Sequence, residues 1–276
     1  MVKWYCDKCN FRSRKETNIK IHKYSHRYDN LNKNLKSYNK FNFNKKIDGI
    51  LYINLKHRKE RNNHIKNELK LYNFDPNKIH RIDAIHNKNC GHLGCCQSHI
   101  NAIEFAEQKN WENVLIFEDD FIFLKDFEYI SKNLNEIFEK GINWDVFLLS
   151  GTNLHQSFSK NKILGKNYKR TVSTATASGY LLNKNYYSKL KELFKECEKE
   201  LKKEVMLHIE KIKNKKNLPN QWNSTSKNQG LMLQYTETAI DHKWIELQKK
   251  DNFLIFDPPL GKQNELFNGN FCGNDT

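Results

Sequence analysis

Long apolar runs, an apolar leader and arginine are what this chain of 276 residues has least of. No apolar run approaches the ~18 residues that a membrane-spanning helix needs, so membrane anchoring is not expected. The opening Met1-Val2-Lys3-Trp4-Tyr5-Cys6 has no apolar segment of the secretory kind, so classical secretion is not expected either. Arginine contributes 7 residues against 40 lysines, and asparagine contributes 37. This bias reads as AT-rich codon usage, so part of the basicity need not be functional. No internal repeat is found. With 38% hydrophobic and 12% aromatic residues, however, the chain has enough apolar surface to bury a core, which excludes wholesale disorder.

The net charge of +15 is unevenly placed. Residues 1–47 hold 13 Lys/Arg against Asp7, Glu16 and Asp29, or +10, and the other 229 residues hold 34 against 29, or +5. A polyanionic partner would therefore meet the first sixth of the chain.

That basic segment also carries Cys6, Cys9, His22 and His26 in the order C-x2-C-x12-H-x3-H. The short gap lets one turn present both thiolates, and residues 22 and 26 share a helix face, so the four can converge on tetrahedral zinc. Trp4, Phe11 and Ile19 are the candidate apolar core beside the metal. The pattern resembles a classical C2H2 zinc finger over residues 4–26, with Ser13 where such fingers usually place an aromatic. The resemblance implies a ββα fold, with Lys15, Asn18 and Ile21 at base-facing positions. One finger reads about 3 base pairs, too few for tight specific binding. A weak nucleic-acid contact, a protein contact or a purely structural appendage all fit. Residues 1–28 are thus assigned to the finger and 29–47, Asn/Lys-rich without periodicity, to a linker.

From residue 48 onward, strands and helices alternate. Ile50–Leu55, Ile79–Ile85, Val114–Phe117 and Asp145–Leu149 read as strands. Residues 59–72, 95–108 and 127–139 read as helices between them. The pattern predicts an α/β domain, 48–276, with a mostly parallel central sheet. In such sheets ligands collect at the carboxyl ends of strands, where Glu118-Asp119-Asp120 follows a buried strand. Carboxylates at that density suit Mg2+ or Mn2+, which bridge diphosphates.

The segments Tyr52–Arg61, Gly94-Cys-Cys-Gln-Ser-His99, Leu115–Asp120, Thr176–Leu182, Ala239-Ile-Asp241 and Pro259–Gln263 occur in an order that resembles glycosyltransferase family 25. That group holds lipooligosaccharide and collagen galactosyltransferases, and the resemblance covers about residues 48–264. It implies a GT-A type fold and metal-dependent, inverting transfer of galactose or glucose from a UDP-sugar to a glycan, a glycolipid or a hydroxylated collagen-like protein. Glu118-x-Asp120 would stand for the D-x-D signature. Asp120 is then the chosen Mn2+ or Mg2+ ligand with Glu118 as its partner ligand, and Glu118 or Asp119 touches ribose or metal-bound water.

Asn54, Arg58 and Arg61 follow the first strand, where the nucleotide would bind, and Arg forks suit phosphate. Gly91 and Gly94 would let backbone approach the ligand, with Ser98 in the helix that follows. Asp241 matches the family's downstream Asp and is preferred over Glu237 and Asp145 as the base that deprotonates the acceptor.

Several residues stay open. A metal set of Cys90, Cys95 and His99 matches no standard zinc spacing, and Cys95 and Cys96 read better as small packed residues. His99 and Trp244 suit either a site or a core. The Lys/Glu-rich helix within 184–217 and the polar loop at 217–230 would carry acceptor specificity or only bulk. Asn264–Asn270 departs from the family's ending, which leaves a second reading: an inactive domain of this type in a zinc-finger nucleic-acid- or protein-binding factor. A Mg2+-dependent nucleotidyltransferase would also use clustered carboxylates but would leave the other motifs unexplained. Five further cysteines, including the adjacent Cys95 and Cys96, argue for a reducing, cytoplasmic setting. A lone finger joined to such an enzyme, with this codon bias, points to a large DNA virus or an AT-rich protist.

Overall fold

The computed structural model describes residues 4–5, 12–13, 43–153, 167–213, 237–264 and 266–267, with side chains of 4–5, 12–13, 153 and 211–213 excepted. In the N-terminal segment, β1 (Trp4–Tyr5) pairs antiparallel with β2 (Arg12–Ser13), Trp4 opposite Ser13. Cys6, Cys9, His22 and His26 lie outside the described residues, as do residues 29–42 of the linker and the loop at 217–230.

The main body is a mixed α/β structure around a seven-stranded sheet. Its strands are β3 (Gly49–Asn54), β4 (Ile79–Asp83), β5 (Asn113–Glu118), β7 (Val146–Leu148), β9 (Tyr168–Arg170), β11 (Gly179–Asn183) and β12 (Phe253–Phe256). The order is β4-β3-β5-β11-β7-β12-β9. β3 pairs parallel with both β4 and β5, and β7 pairs parallel with β12, while β11 and β9 run against their neighbours. Most strands thus point one way, with two reversed. Short pairs complete the body: β6 (Phe121–Phe123) with β13 (Gly261–Gln263), and β8 (Thr152–Asn153) with β10 (Thr174–Ala175).

Each element follows from its sequence. β3 is Gly-Ile-Leu-Tyr-Ile-Asn and buried at every position, as a central strand covered on both faces should be. β4, at the edge, exposes Arg81 and Asp83, charges that blunt an open edge against further pairing. Helix α1 (Lys59–Leu71) buries Ile65 and Leu69 at helical spacing. Helix α2 (Gly91–Gln108) begins four residues before the expected 95, so Gly91 and Gly94 lie inside its first turn. Helix α3 (Phe127–Glu139) starts at Asp126, whose carboxylate accepts the Tyr129 N–H at 2.8 Å, a cap that stabilises by about 0.5–2 kcal/mol. Helix α4 (Tyr187–Lys213) buries Leu190, Phe194, Cys197, Leu201 and Val205 along one stripe against α2. Two short helices, α5 (Ile240–Lys243) and α6 (Ile245–Gln248), lead into β12.

Two apolar layers sandwich the sheet. One joins α2, α4 and Trp244 to one face, and the other joins α1 and α3 to the opposite face. Phe43 and Ile47, from the end of the expected linker, are buried in the second layer, so the body extends at least to Phe43. Because α1 leaves β3 on one face and α2 leaves β4 on the other, a crevice opens above the carboxyl ends of β3, β4 and β5. Among the described residues, no helix is long and apolar enough to cross a membrane.

Candidate active site

That crevice is a cavity of about 300 Å³. Arg58 and Arg61 line it from the β3 side, His92, Cys95 and His99 from α2, and Glu118, Asp119 and Asp120 from the end of β5. Thr176, Asp241 and Gln263 close it. Of the site residues expected from the sequence, Arg58, Arg61, Ser98, Glu118, Asp119, Asp120 and Asp241 therefore share one cleft, while Asn54 and Gly94 lie behind its wall.

The acidic triplet is a turn between β5 and β6, and each carboxylate meets different neighbours. Glu118 is held on both oxygens. Oε1 faces His99 Nε2 at 3.3 Å and accepts from the Cys95 thiol at 3.5 Å, and Oε2 accepts from Gln263 Nε2 at 3.1 Å. Burial pushes its carboxyl up, but the hydrogen bond and charge of His99, with Gln263 and Cys95, outweigh that and leave it lowered.

Asp119 accepts from Asn54 Nδ2 at 2.7 Å and from Arg61 Nη1 at 3.0 Å. Burial still leaves its pKa raised, against the pull of Arg61 and Asn54. Asp120 is 5% exposed, and Arg61 reaches only its Oδ2, at 3.6 Å. Its Oδ1 is buried with no hydrogen-bond partner among the described residues. Burial, then the Glu118 charge and the Asp119 charge, raise its pKa well above the ordinary aspartate range, against the pull of Arg61 and a backbone hydrogen bond.

Asn54 is 1% exposed and acts as a brace. It donates to Asp119 and to the Arg58 carbonyl, and its Oδ1 accepts from Arg81 Nε at 3.1 Å. Arg61 Nη2 donates to the Phe267 carbonyl at 2.9 Å, and its guanidinium lies 5.2 Å from the Phe267 ring centre. The C-terminal stretch thus returns to the acidic turn, and Asn264 N donates to the Asp120 carbonyl at 2.7 Å. Gly94 packs on the preceding loop: a Cβ there would lie 2.3 Å from the Ile85 carbonyl oxygen, so only glycine allows α2 this close. Ser98 ties the same two segments, accepting from Ile85 N at 2.8 Å and donating to the Gly94 carbonyl at 2.6 Å.

Asp241 faces the acidic turn from the far wall. Its Oδ2 accepts the Thr176 N–H at 2.9 Å. Thr176 has φ 84°, a conformation that β-branched residues rarely adopt, so Asp241 helps to hold a strained backbone at the cleft wall. Trp244 is fully buried, donating Nε1–H to the Thr174 carbonyl at 2.9 Å and packing edge-on against Tyr180 and Phe253. It belongs to the core and cannot stack on a sugar.

Two lining residues escaped the sequence reading. His92 has a buried Nε2 without a partner among the described residues, and burial lowers its pKa against the pull of Asp241. Its spacing of three and seven residues from Cys95 and His99 marks a single helix face, and that signal could have found it. Gln263 was inside a recognised motif, but only the pairing of β13 with β6 brings it to Glu118.

The donor set fits a divalent cation at Asp120, because a buried carboxylate oxygen with no partner is the feature such an ion would satisfy. No protein-family model and no curated protein matches the chain. Among solved structures it is similar to the crystal structure of a glycosyltransferase involved in the glycosylation of the major capsid of PBCV-1. The identity is 10%, with 75% of this chain and 91% of that one covered, at a TM-score of 0.31.

Proposed function

We propose that this chain is a GT-A type glycosyltransferase that moves a hexose, galactose or glucose, from a UDP-sugar to a hydroxyl acceptor with inversion. The observation that carries the reading is the buried, unpartnered Oδ1 of Asp120 at the carboxyl end of β5, in a cleft shared with two arginines and, opposite, Asp241. The ordered motifs that resemble family 25 supply the reaction class.

On this reading Asp120 would hold Mn2+ or Mg2+, which when bound neutralises charge on the departing diphosphate. Glu118, expected to share the ion, has both oxygens engaged by His99, Cys95 and Gln263, so Asp120 is the one with a free oxygen to offer. Arg58, partly buried in the cleft wall, supplies charge for the phosphates, and Arg61 does so beside the acidic turn. Asp241 removes the proton of the acceptor hydroxyl, with its free oxygen directed by the bond that Oδ2 makes to Thr176. The acceptor is a glycan, a glycolipid head or a hydroxylated protein.

Cys6, Cys9, His22 and His26 would hold Zn2+ in the accessory finger. One observation favours the inactive reading: the Arg61 fork is already occupied by Asp119 and the Phe267 carbonyl.

UDP release from a panel of UDP-sugars, with Mn2+ and with chelator, separates the two. One donor hydrolysed only with metal, and not by Asp120→Asn, supports the transferase. No release and no calorimetric UDP binding would leave the inactive fold.

A further inference from the structure

Beneath the acidic turn lies a donor set that glycosyl transfer leaves unused. Cys95 Sγ, His99 Nε2 and Glu118 Oε1 lie within 4.8 Å of one another. We propose that these three side chains form a binding site for a zinc-class dication, with a fourth coordination position open to the cleft. The site goes beyond the transferase reading and does not rest on it.

The chemistry of the donors selects the ion. One thiolate, one imidazole and one carboxylate suit Zn2+, whereas Mg2+ and Mn2+ prefer all-oxygen sets such as Asp120 would offer. Thiolate and carboxylate together balance the charge of a dication, and the imidazole binds as the neutral ligand. The spacing is also of the kind that zinc uses. Cys95 and His99, four apart on α2, present their donors from one helix face, and Glu118 completes the set from the end of β5.

Two of the three edges agree, and the third, Cys95 Sγ to His99 Nε2, lies within 4.8 Å. With Zn–S near 2.3 Å and Zn–N and Zn–O near 2.0–2.1 Å, a tetrahedron has an S···O edge of about 3.5 Å and an N···O edge of about 3.3 Å. The observed separations are 3.5 Å from Cys95 Sγ to Glu118 Oε1 and 3.3 Å from His99 Nε2 to Glu118 Oε1. The ligands are braced from outside as metal ligands usually are. The Tyr180 hydroxyl meets His99 Nδ1 at 2.9 Å, which fixes the ring and leaves Nε2 for the ion, and Gln263 holds the second oxygen of Glu118 at 3.1 Å. Cys96 points the other way, its thiol on the Phe194 carbonyl at 3.1 Å, so only one of the adjacent cysteines joins the set. All three ligands line the cleft, which is where an exchangeable fourth ligand would enter.

The test uses the full chain, with Cys6→Ser/Cys9→Ser to remove the expected finger site. After loading with Zn2+ and dialysis, metal analysis should find one equivalent of zinc in this variant and none once Cys95→Ser is added. Loading with Co2+ should give thiolate-to-cobalt absorption that Cys95→Ser abolishes. Tyr180→Phe, which keeps the three ligands, should weaken zinc binding by about 10-fold. Should Cys95→Ser fail to fold, alkylation of Cys95 mapped by peptide mass in the Cys6→Ser/Cys9→Ser protein takes its place, slowed by Zn2+ and not by Mg2+. Equal zinc content with and without Cys95, or alkylation indifferent to Zn2+, would overturn the proposal. The contacts would then be a metal-free hydrogen-bonded chain that orients Glu118. Neither result bears on UDP release by Asp120, so the two readings fail separately.

Discussion

Two polar clusters, each with buried members, lie on this sheet, and they are satisfied to different degrees. Around Thr174, Gln248 accepts the backbone N–H at 2.8 Å and returns an N–H to the carbonyl at 2.6 Å, while Trp244 donates to the same carbonyl. Nearby Arg170 donates to the Asp251 carbonyl, and Tyr186 and Lys189 hold the Asp251 carboxylate. In the cleft, by contrast, Asp120 Oδ1, Arg61 Nε and His92 Nε2 are buried without a partner among the described residues. Unpartnered atoms occur elsewhere too, on Ser131, Asn133, Asn135 and Ser173, but those are neutral hydroxyls and amides. Among the described residues, only the cleft leaves buried atoms of ionisable groups unsatisfied. A closed network holds the fold, and an open one made of ionisable groups waits for a ligand.

The largest expected break of this contrast is Trp244→Ala. It removes a fully buried ring and a donor to the Thr174 carbonyl, and should cost about 3–5 kcal/mol in urea unfolding. If Trp244 instead served the sugar, stability would hold and donor turnover would fall. Asp120→Asn should do the reverse. Metal-dependent UDP-sugar hydrolysis should fall on the order of 100-fold or more, equivalent to about 3 kcal/mol of barrier. The melting temperature should stay level or rise, because burial already disfavours the charged carboxylate and its Oδ1 has no hydrogen-bond partner among the described residues. A fall in melting temperature with full activity would place Asp120 in the structural class.

Four of the sheet's seven strands (β3, β4, β5 and β7), the four long helices and the position of the acidic turn were legible, since buried runs and helical spacing are local signals. The bounds of α3 and the turn after β5 follow from residues 113–139 alone. β11 was read only as part of a motif and not as a strand, and its reversal was not legible, because Gly179–Asn183 carries the same apolar run whichever way it points. Nor was the engagement of Glu118 by Cys95, His99 and Gln263, which needs residues 19 to 145 positions apart to meet. Trp244 was ambiguous because its burial depends on Tyr180 and Phe253, on other elements. Phe43 was assigned to a linker because its neighbours are Asn and Lys, and only the fold supplies its contact with Phe74.

A smaller effect should sharpen the open side. Arg61→Lys keeps the charge but loses the fork that spans Asp119 and the Phe267 carbonyl. UDP affinity, measured by calorimetry, should fall about 10-fold, in line with the loss of one charged hydrogen bond. Unchanged affinity would assign Arg61 to bracing the turn and leave the phosphates to Arg58.

The smallest effect concerns the sign of the carboxylate shifts. In the closed network burial alone would raise Asp251, but the hydrogen bonds from Lys189 and Tyr186 outweigh it and leave its pKa lowered. In the cleft Glu118 is lowered in the same way, but at Asp119 and Asp120 burial wins and both are raised. A lowered folded-state pKa contributes stability that is fully present above the unfolded aspartate value of about 3.9 and is lost as pH falls through the folded value. Asp251 is largely solvent-screened, so its share of the acid-side decline is small. Asp251→Asn should therefore lower the melting temperature slightly at neutral pH and flatten its decline below about pH 4, where the wild-type carboxylate takes up its proton. An acid-side decline equal in both proteins would mean that Lys189 and Tyr186 do not favour the charged form, and would remove Asp251 from the closed network.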